Sequence, residues 1–369
     1  MSINTDERII LTLDAGGTNF EFRAIQSQKD AAEPVVLPSR GDDLNACLKN
    51  IVDGFKALKD AVGGTIQGIS FAFPGPADYA NGIIGDLQNL PGFRGSVALG
   101  PMLEEQFNVP VFINNDGDLF AYGEALCGAL PEINAELESA GSPKRFKNLL
   151  GLTLGTGFGA GIVTNGRLLI GDNSAAGEIW CTRNKLDCQS YAEEGVSIRA
   201  VRHAYAQKTG LDIEKVPEPV DIAAIAEGRQ PGDVDAAKHA FQRLGEVAGD
   251  AAANAATLID GIIVIGGGLT GASKYFLPAM VAEMNSELHS VTGRGTIPRT
   301  ELTIFNLEDP QQRQIFIKGK AVQVQVPNSA RSVPYDPHKR IGVAISKLGA
   351  ARAVSLGAYA LALSHLEQH

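Results

Sequence analysis

A chain of 369 residues with 44% hydrophobic and 20% charged side chains can bury two cores of ordinary size, which excludes a disordered chain and argues against one giant domain. Its formal net charge of −10 disfavours nucleic acid or an anionic membrane surface as the main partner. The start, Met1 to Arg8, is polar and acidic, and no stretch approaches the ~20 apolar residues that cross a bilayer, so a cytoplasmic setting is expected. Cys47, Cys127, Cys181 and Cys188 are too scattered for a disulfide framework and are expected to be reduced.

Ile9 to Leu13 runs into Asp14-Ala-Gly-Gly-Thr18 and out through Phe20 to Ile25, the pattern of two buried strands joined by a glycine turn. Leu48, Ile51, Val52, Phe55 and Leu58 then recur at helical spacing and predict a core-facing helix over 45–61. Gly68 to Phe73 reads as a strand stopped by Pro74-Gly75-Pro76, residues 81–93 as a loop, and Leu99 to Phe107 as a short helix. Pro110 to Asn114 predicts a strand that ends in Asn115-Asp116-Gly117-Asp118 before a helix over 119–127. Ligands gather where the strands of an open α/β sheet end, so this polar cluster suggests a site. Asn114, Asn115 and Asp118 also fit turn and N-cap chemistry, which leaves Asp116 as the candidate for chemistry.

Leu149 to Val163 is an apolar run broken at Gly155-Thr156-Gly157, without helical spacing, and predicts a second strand–turn–strand hairpin about 140 residues after the first. Glycines there let a ligand approach bare backbone, and successive N–H groups with the Thr156 hydroxyl offer donors to a phosphate. Two such hairpins suggest two copies of one architectural unit, with a phosphate chain between them. A loop over 171–180 carries Glu178, and Glu193 and Glu194 precede a further predicted helix. Residues 217–226 and 234–258 read as helices, the second rich in alanine and so able to pack closely. Gly261 to Ile265 reads as a buried strand that enters Gly266-Gly-Gly-Leu-Thr-Gly271, with a helix expected over 272–288. The G-x-G-x-x-G spacing lacks a following strand that ends in an acid, so a nicotinamide site is not supported. Residues 300–306 and 313–326 are rich in β-branched side chains and predict a β-hairpin or small sheet turning near Lys318-Gly319-Lys320; residues 350–366 predict a closing helix.

Asp14-Ala-Gly-Gly-Thr18, Asn115-Asp116, Gly155-Thr156-Gly157 with Gly159, and Gly266-Gly267-Gly268-Leu269 together, in this order, resemble the ROK family of sugar kinases and its glucokinase-like members. The resemblance implies an α/β, actin-like ATPase (ribonuclease H-like) fold of two lobes with a central cleft. A small lobe over 1–118, joined by the closing helix, and a large lobe over 119–349 are expected, with a β-rich insertion about 293–336. It further implies ATP-dependent phosphorylation of a hexose at its 6-hydroxyl, glucose first. Mannose, fructose or an N-acetylated hexosamine are alternatives, as is a non-catalytic sugar-sensing protein; for a DNA-binding repressor of the family, eight residues before Ile9 are too few for a helix-turn-helix.

On the same resemblance Asp14, Gly16, Gly17 and Thr18 would line the phosphate and Mg²⁺ region, Asp14 meeting the metal through water. Gly155, Thr156 and Gly157 would hold phosphates, and Gly267 and Gly268 would lie near the adenosine. Asp116 matches the catalytic base, and Asn89, Asn115, Asp116 and Glu178 match sugar contacts. A second sugar acid four residues ahead of a serine is fitted by Glu193 and Ser197, with Glu194 beside it. The chain departs from the family at the zinc motif, of which Cys181 and Cys188 are a poor remnant, so no zinc is expected. A Walker lysine motif is absent, which excludes a P-loop kinase. ATP, Mg²⁺ and a small sugar are the implied ligands, and a homodimer the expected assembly.

Overall fold

The computed structural model describes residues 3–293 and 295–367. They fall into two compact units: residues 3–128, 161–177 and 348–367 form the first, and 129–160 with 178–293 and 295–347 the second. Residues 119–128 and 161–177 thus go with the first unit, as does the closing helix.

In the first unit Ile9–Ala15 pairs antiparallel with Asn19–Gln26, so the first glycine hairpin forms as expected. Ile9–Ala15 also pairs parallel with Ile66–Ala72, which in turn pairs parallel with Val111–Asn114. The helix Leu44–Val62 begins where the Asp43 carboxylate accepts the Ala46 N–H at 3.1 Å and ends on Gly63 at φ 61°. Its buried Cys47, Ile51, Phe55 and Leu58 form one stripe. Phe55 packs edge-on against Phe22 at 5.1 Å, and the aromatic chain continues through Phe71 and Phe73 to Phe93.

The helices Asp116–Leu126 and Ala350–Leu366 pack together within this unit. They approach so closely that a Cβ on Gly357 would overlap the Leu119 carbonyl oxygen, and one on Gly123 the Ala353 carbonyl oxygen. The closing helix is buried without interruption from Ala353 to Leu363, as its all-apolar and small composition requires.

In the second unit Leu149–Leu154 pairs parallel with Ile262–Gly266, followed across the sheet by Arg340–Ile345 and Thr303–Asn306. The alanine-rich helix Val234–Ile259 lies against Ser273–Met284, where a Cβ on Gly249 would sit 2.6 Å from the Met280 carbonyl oxygen.

Three expectations are corrected here. The helix expected over 272–288 runs only from Ser273 to Met284, because Asn285 turns its amide onto the Val281 and Ile304 carbonyls, and Glu287–His289 pairs with Thr296–Pro298 instead. Thr303–Asn306 belongs to the main sheet of the second unit rather than to a separate hairpin or small sheet. Within 313–326, Pro310–Lys318 is a helix: Asp309 caps it through the Gln311 and Gln312 N–H groups, Pro310 occupies the first turn, and Gly319 ends it. The ribbon that does form pairs Val322–Gln325 with Ser332–Tyr335 and turns beyond Gln325, not at Lys318-Gly319-Lys320. The stretch 293–336 therefore mixes ribbon, core strand and helix.

Candidate active site

In the first unit, strand register assembles the site. Asp14 lies beside Ala72, and Ala72 beside Asn114, so three parallel strands deliver Asp14, the Phe73–Pro76 exit and the Asn115-Asp116 turn to one carboxyl edge. Asn115 is the N-cap of the helix that follows, its Oδ1 accepting the Asp118 N–H at 2.7 Å while its Nδ2 donates to Asp118 Oδ2 at 3.1 Å. The capping role is thus Asn115's, and Asp118 is a buried acid inside the first turn. Asp116 opens the helix with an exposed carboxylate, one oxygen accepting the Gly117 N–H at 2.8 Å.

The turn after Asp14 is pinned from one side: Ser39 donates its N–H to the Thr18 carbonyl at 2.9 Å and its hydroxyl to the Gly17 carbonyl at 2.5 Å. Gly16, Gly17 and Thr18 are exposed, and a Cβ on Gly17 would meet open space. Asp14 is reachable by solvent yet ringed by protein. That burial, followed by the charges of Glu21 and Asp116, raises its carboxyl above the usual range against the opposing pull of Arg23. A carboxylate held among carboxylates is suited to a divalent cation. Asn89 is exposed on a loop whose Leu87, Leu90 and Phe93 are buried, and Gly92 N–H ties that loop to the Gly41 carbonyl at 2.7 Å.

In the second unit two glycine turns leave adjacent parallel strands, Thr153 lying opposite Gly266 in register. Gly155 and Gly268 come together: a Cβ on Gly155 would sit 3.9 Å from the Gly268 nitrogen. Gly267 has φ 97°, and a Cβ there would strike the Leu154 backbone, so only glycine serves. Thr156 and Gly268 are exposed, which leaves these backbones open to a ligand.

The acids of this unit are not isolated. Glu193 accepts the Phe158 N–H at 3.0 Å and the Arg199 guanidinium at 2.8 Å. Glu194 accepts Arg199 at 2.7 Å and the Tyr191 hydroxyl at 2.8 Å. Arg199 first and Tyr191 second hold the Glu194 carboxyl below the usual carboxylate range, and the Tyr191 phenol is pushed up in return. Glu178 is exposed and accepts the indole N–H of Trp180, whose ring stands edge-on to Tyr191 at 5.8 Å. Neither Arg199 nor Trp180 was singled out by sequence. The available signals were one arginine close behind two adjacent acids and the chain's single tryptophan two residues after Glu178. Among the described residues no group of three or more His, Cys, Asp or Glu is placed to hold a metal ion, and Cys181 and Cys188 are exposed thiols.

The ROK family model matches residues 10–301. The chain belongs to the ROK family. A crystal structure of glucokinase from Parabacteroides distasonis is 56% identical to this ROK protein, covering 99% of it and 100% of that chain, with a TM-score of 0.90. N-acetyl-D-glucosamine kinase of Vibrio cholerae is 30% identical over 270 residues, 70% of this chain and 83% of its own length. The fold is shared more widely, as with the ROK glucokinase of Streptomyces griseus crystallised with glucose and AMPPNP. That structure is 18% identical, covers 96% of this chain and 99% of its own, and has a TM-score of 0.62. The architecture is the actin-like ATPase fold. No helix among the described residues is long and apolar enough to cross a membrane.

Proposed function

We propose that this ROK sugar kinase transfers the γ-phosphoryl group of ATP to the 6-hydroxyl of a hexose, with glucose as its acceptor. The observation that carries the reading is the register that sets the exposed Asp116 carboxylate and Asp14 at one sheet edge of the first unit. Asp116 accepts the proton as the sugar oxygen attacks phosphorus and the bond to the leaving ADP oxygen breaks. Asn89, Asn115, Glu178 and Glu193 meet sugar hydroxyls, for which fixed amides and carboxylates supply directed donors and acceptors. The N–H groups of the two glycine hairpins, with the Thr18 and Thr156 hydroxyls, receive the phosphates, and Gly267 and Gly268 lie along the adenosine.

Asp14 fits Mg²⁺ because its charge is crowded by Glu21 and Asp116. No three-ligand cage surrounds it among the described residues, so the ion would be held chiefly by phosphate oxygens and water, with Asp14 acting through water. When bound, it neutralises phosphate charge. Glucose is favoured by the full-length likeness to the Parabacteroides glucokinase. An N-acetylated hexosamine is the second reading, favoured by the Vibrio relative. A coupled ADP-release assay against glucose, mannose, fructose, N-acetylglucosamine and N-acetylmannosamine tests both. Fastest turnover of glucose supports the first, and fastest turnover of an N-acetyl sugar replaces it with the second. Turnover of none would leave a sugar-sensing protein. The reading includes a cytoplasmic homodimer and no bound zinc, for which elemental analysis showing about one zinc per chain would be the contrary result.

A further inference from the structure

Gly155 and Thr156 of the Gly155–Gly157 tip, and Phe158 just after it, are hydrogen-bonded to one short stretch of the second unit. Ile198 N–H donates to the Gly155 carbonyl at 2.8 Å. Arg199 Nη1 donates to the Thr156 carbonyl at 3.4 Å, and its Nη2 to Glu193 Oε1 at 2.8 Å. The other Glu193 oxygen takes the Phe158 N–H at 3.0 Å, and a Cβ on Gly157 would come within 2.7 Å of it. Ser197, the N-cap of helix Ile198–Thr209, donates its hydroxyl to the Glu193 carbonyl at 2.8 Å, which fixes Glu193 to the helix that carries Arg199. From Arg199 the contacts run on through Glu194, Tyr191 and Trp180 to Glu178.

The tip has one hydrogen bond of its own, Gly155 N–H to the Gly157 carbonyl at 3.0 Å, but two of its three residues are glycines, whereas transfer of a phosphoryl group depends on donors held in place. A misplacement of ~1 Å is enough to slow such a step about 10²-fold. We propose that Arg199 is a positioning residue for phosphoryl transfer: its guanidinium sets the Gly155–Gly157 tip directly at Thr156 and indirectly through Glu193. One cation thereby couples the phosphate turn to the acids assigned to the sugar. The proposal rests on the sugar-kinase reading. An ordinary exposed ion pair predicts something different, because such a pair adds little to stability and nothing to turnover.

The test compares wild type, Arg199→Met and Arg199→Lys for kcat, KM for MgATP, KM for sugar and Tm. Arg199→Met should lower kcat about 10- to 100-fold and raise KM for MgATP, with KM for sugar moved less and Tm nearly unchanged. Arg199→Lys should recover part of kcat, since one ammonium supplies the charge but cannot span Glu193 and Thr156 together. It also carries the test if Arg199→Met does not fold. Wild-type kcat and KM for MgATP in these variants would overturn the proposal, as would a loss that merely follows Tm and is not eased by lysine. If wild type phosphorylates no hexose, the kinase reading itself falls and the proposal with it, an outcome distinct from active wild type with indifferent variants.

Discussion

Asp14 and Asp336 are two acids whose surroundings push them in opposite directions. Burial, Glu21 and Asp116 raise the Asp14 carboxyl, so its ionised form is disfavoured in the folded chain. The penalty is present above the folded pKa and disappears below the unfolded one. Asp14→Asn should therefore raise Tm at neutral pH while removing Mg²⁺-dependent turnover, measured by thermal unfolding beside the coupled assay. An unchanged or lower Tm would count against the crowding of charge. Asp336 and Arg340 form a pair at 2.6 Å with side chains 3% and 0% exposed, the guanidinium also donating to the Phe316 carbonyl at 2.7 Å. Burial pulls the Asp336 carboxyl up, but the Arg340 guanidinium and the His338 and Lys320 N–H groups outweigh it and hold the carboxyl below the usual range. Its contribution is complete above the unfolded pKa and is lost as pH falls through the lower folded one. Arg340→Met strands a buried carboxylate and should destabilise by about 3–5 kcal/mol at neutral pH. Urea unfolding at pH 7 and pH 3 checks this, with the difference between the two proteins shrinking at the acid end. Glycine turns of this kind were legible as sequence, because only glycine tolerates φ 97° beside the Leu154 backbone. Arg199 and Arg340 were not, because their worth depends on carboxylates and carbonyls that only the fold brings near.

Helices with a clear stripe and a clear stop were read closely: 45–61 became Leu44–Val62, with Asp43 and Gly63 as its caps. Residues 313–318 read as strand because β-branched side chains are weighed above the Asp309-Pro310 start and the Gly319 end of the helix Pro310–Lys318, of which Phe316 is the one buried residue. Capping chemistry was the better signal there. The close crossing of Asp116–Leu126 and Ala350–Leu366 leads to a prediction at this scale. On an exposed helix, glycine to alanine would stabilise by about 1 kcal/mol. At Gly357 the added methyl strikes the Leu119 carbonyl, and overpacking of this kind destabilises by about 1–3 kcal/mol. Gly357→Ala should thus lower Tm, and because the displaced helix begins at Asp116, it should lower kcat as well. An elevated Tm would mean that the helices separate easily.

Across the whole molecule, four motifs in order, Asp14–Thr18, Asn115-Asp116, Gly155–Gly157 with Gly159 and Gly266–Leu269, were enough for a resemblance to the family that the match over 10–301 bears out. The closing helix was expected with the first unit, but 161–177 return to it from within the second hairpin, which no local pattern announces. The ribbon of Val322–Gln325 and Ser332–Tyr335 exposes Val322, Val324, Val333 and Tyr335. If this surface joins two copies, deleting 322–335 should convert a dimer to a monomer in light scattering, whereas an unaltered mass would rule the ribbon out as the interface. The central claim, that Asp116 is the base of a hexose kinase, is tested most directly by Asp116→Asn. The amide keeps the size and caps a helix nearly as well, but cannot take the proton. The measurement is kcat for ATP-dependent glucose phosphorylation, with glucose binding followed in parallel by calorimetry. The account predicts a fall in kcat of roughly 10²–10⁴-fold with binding little changed; turnover near that of wild type would contradict it.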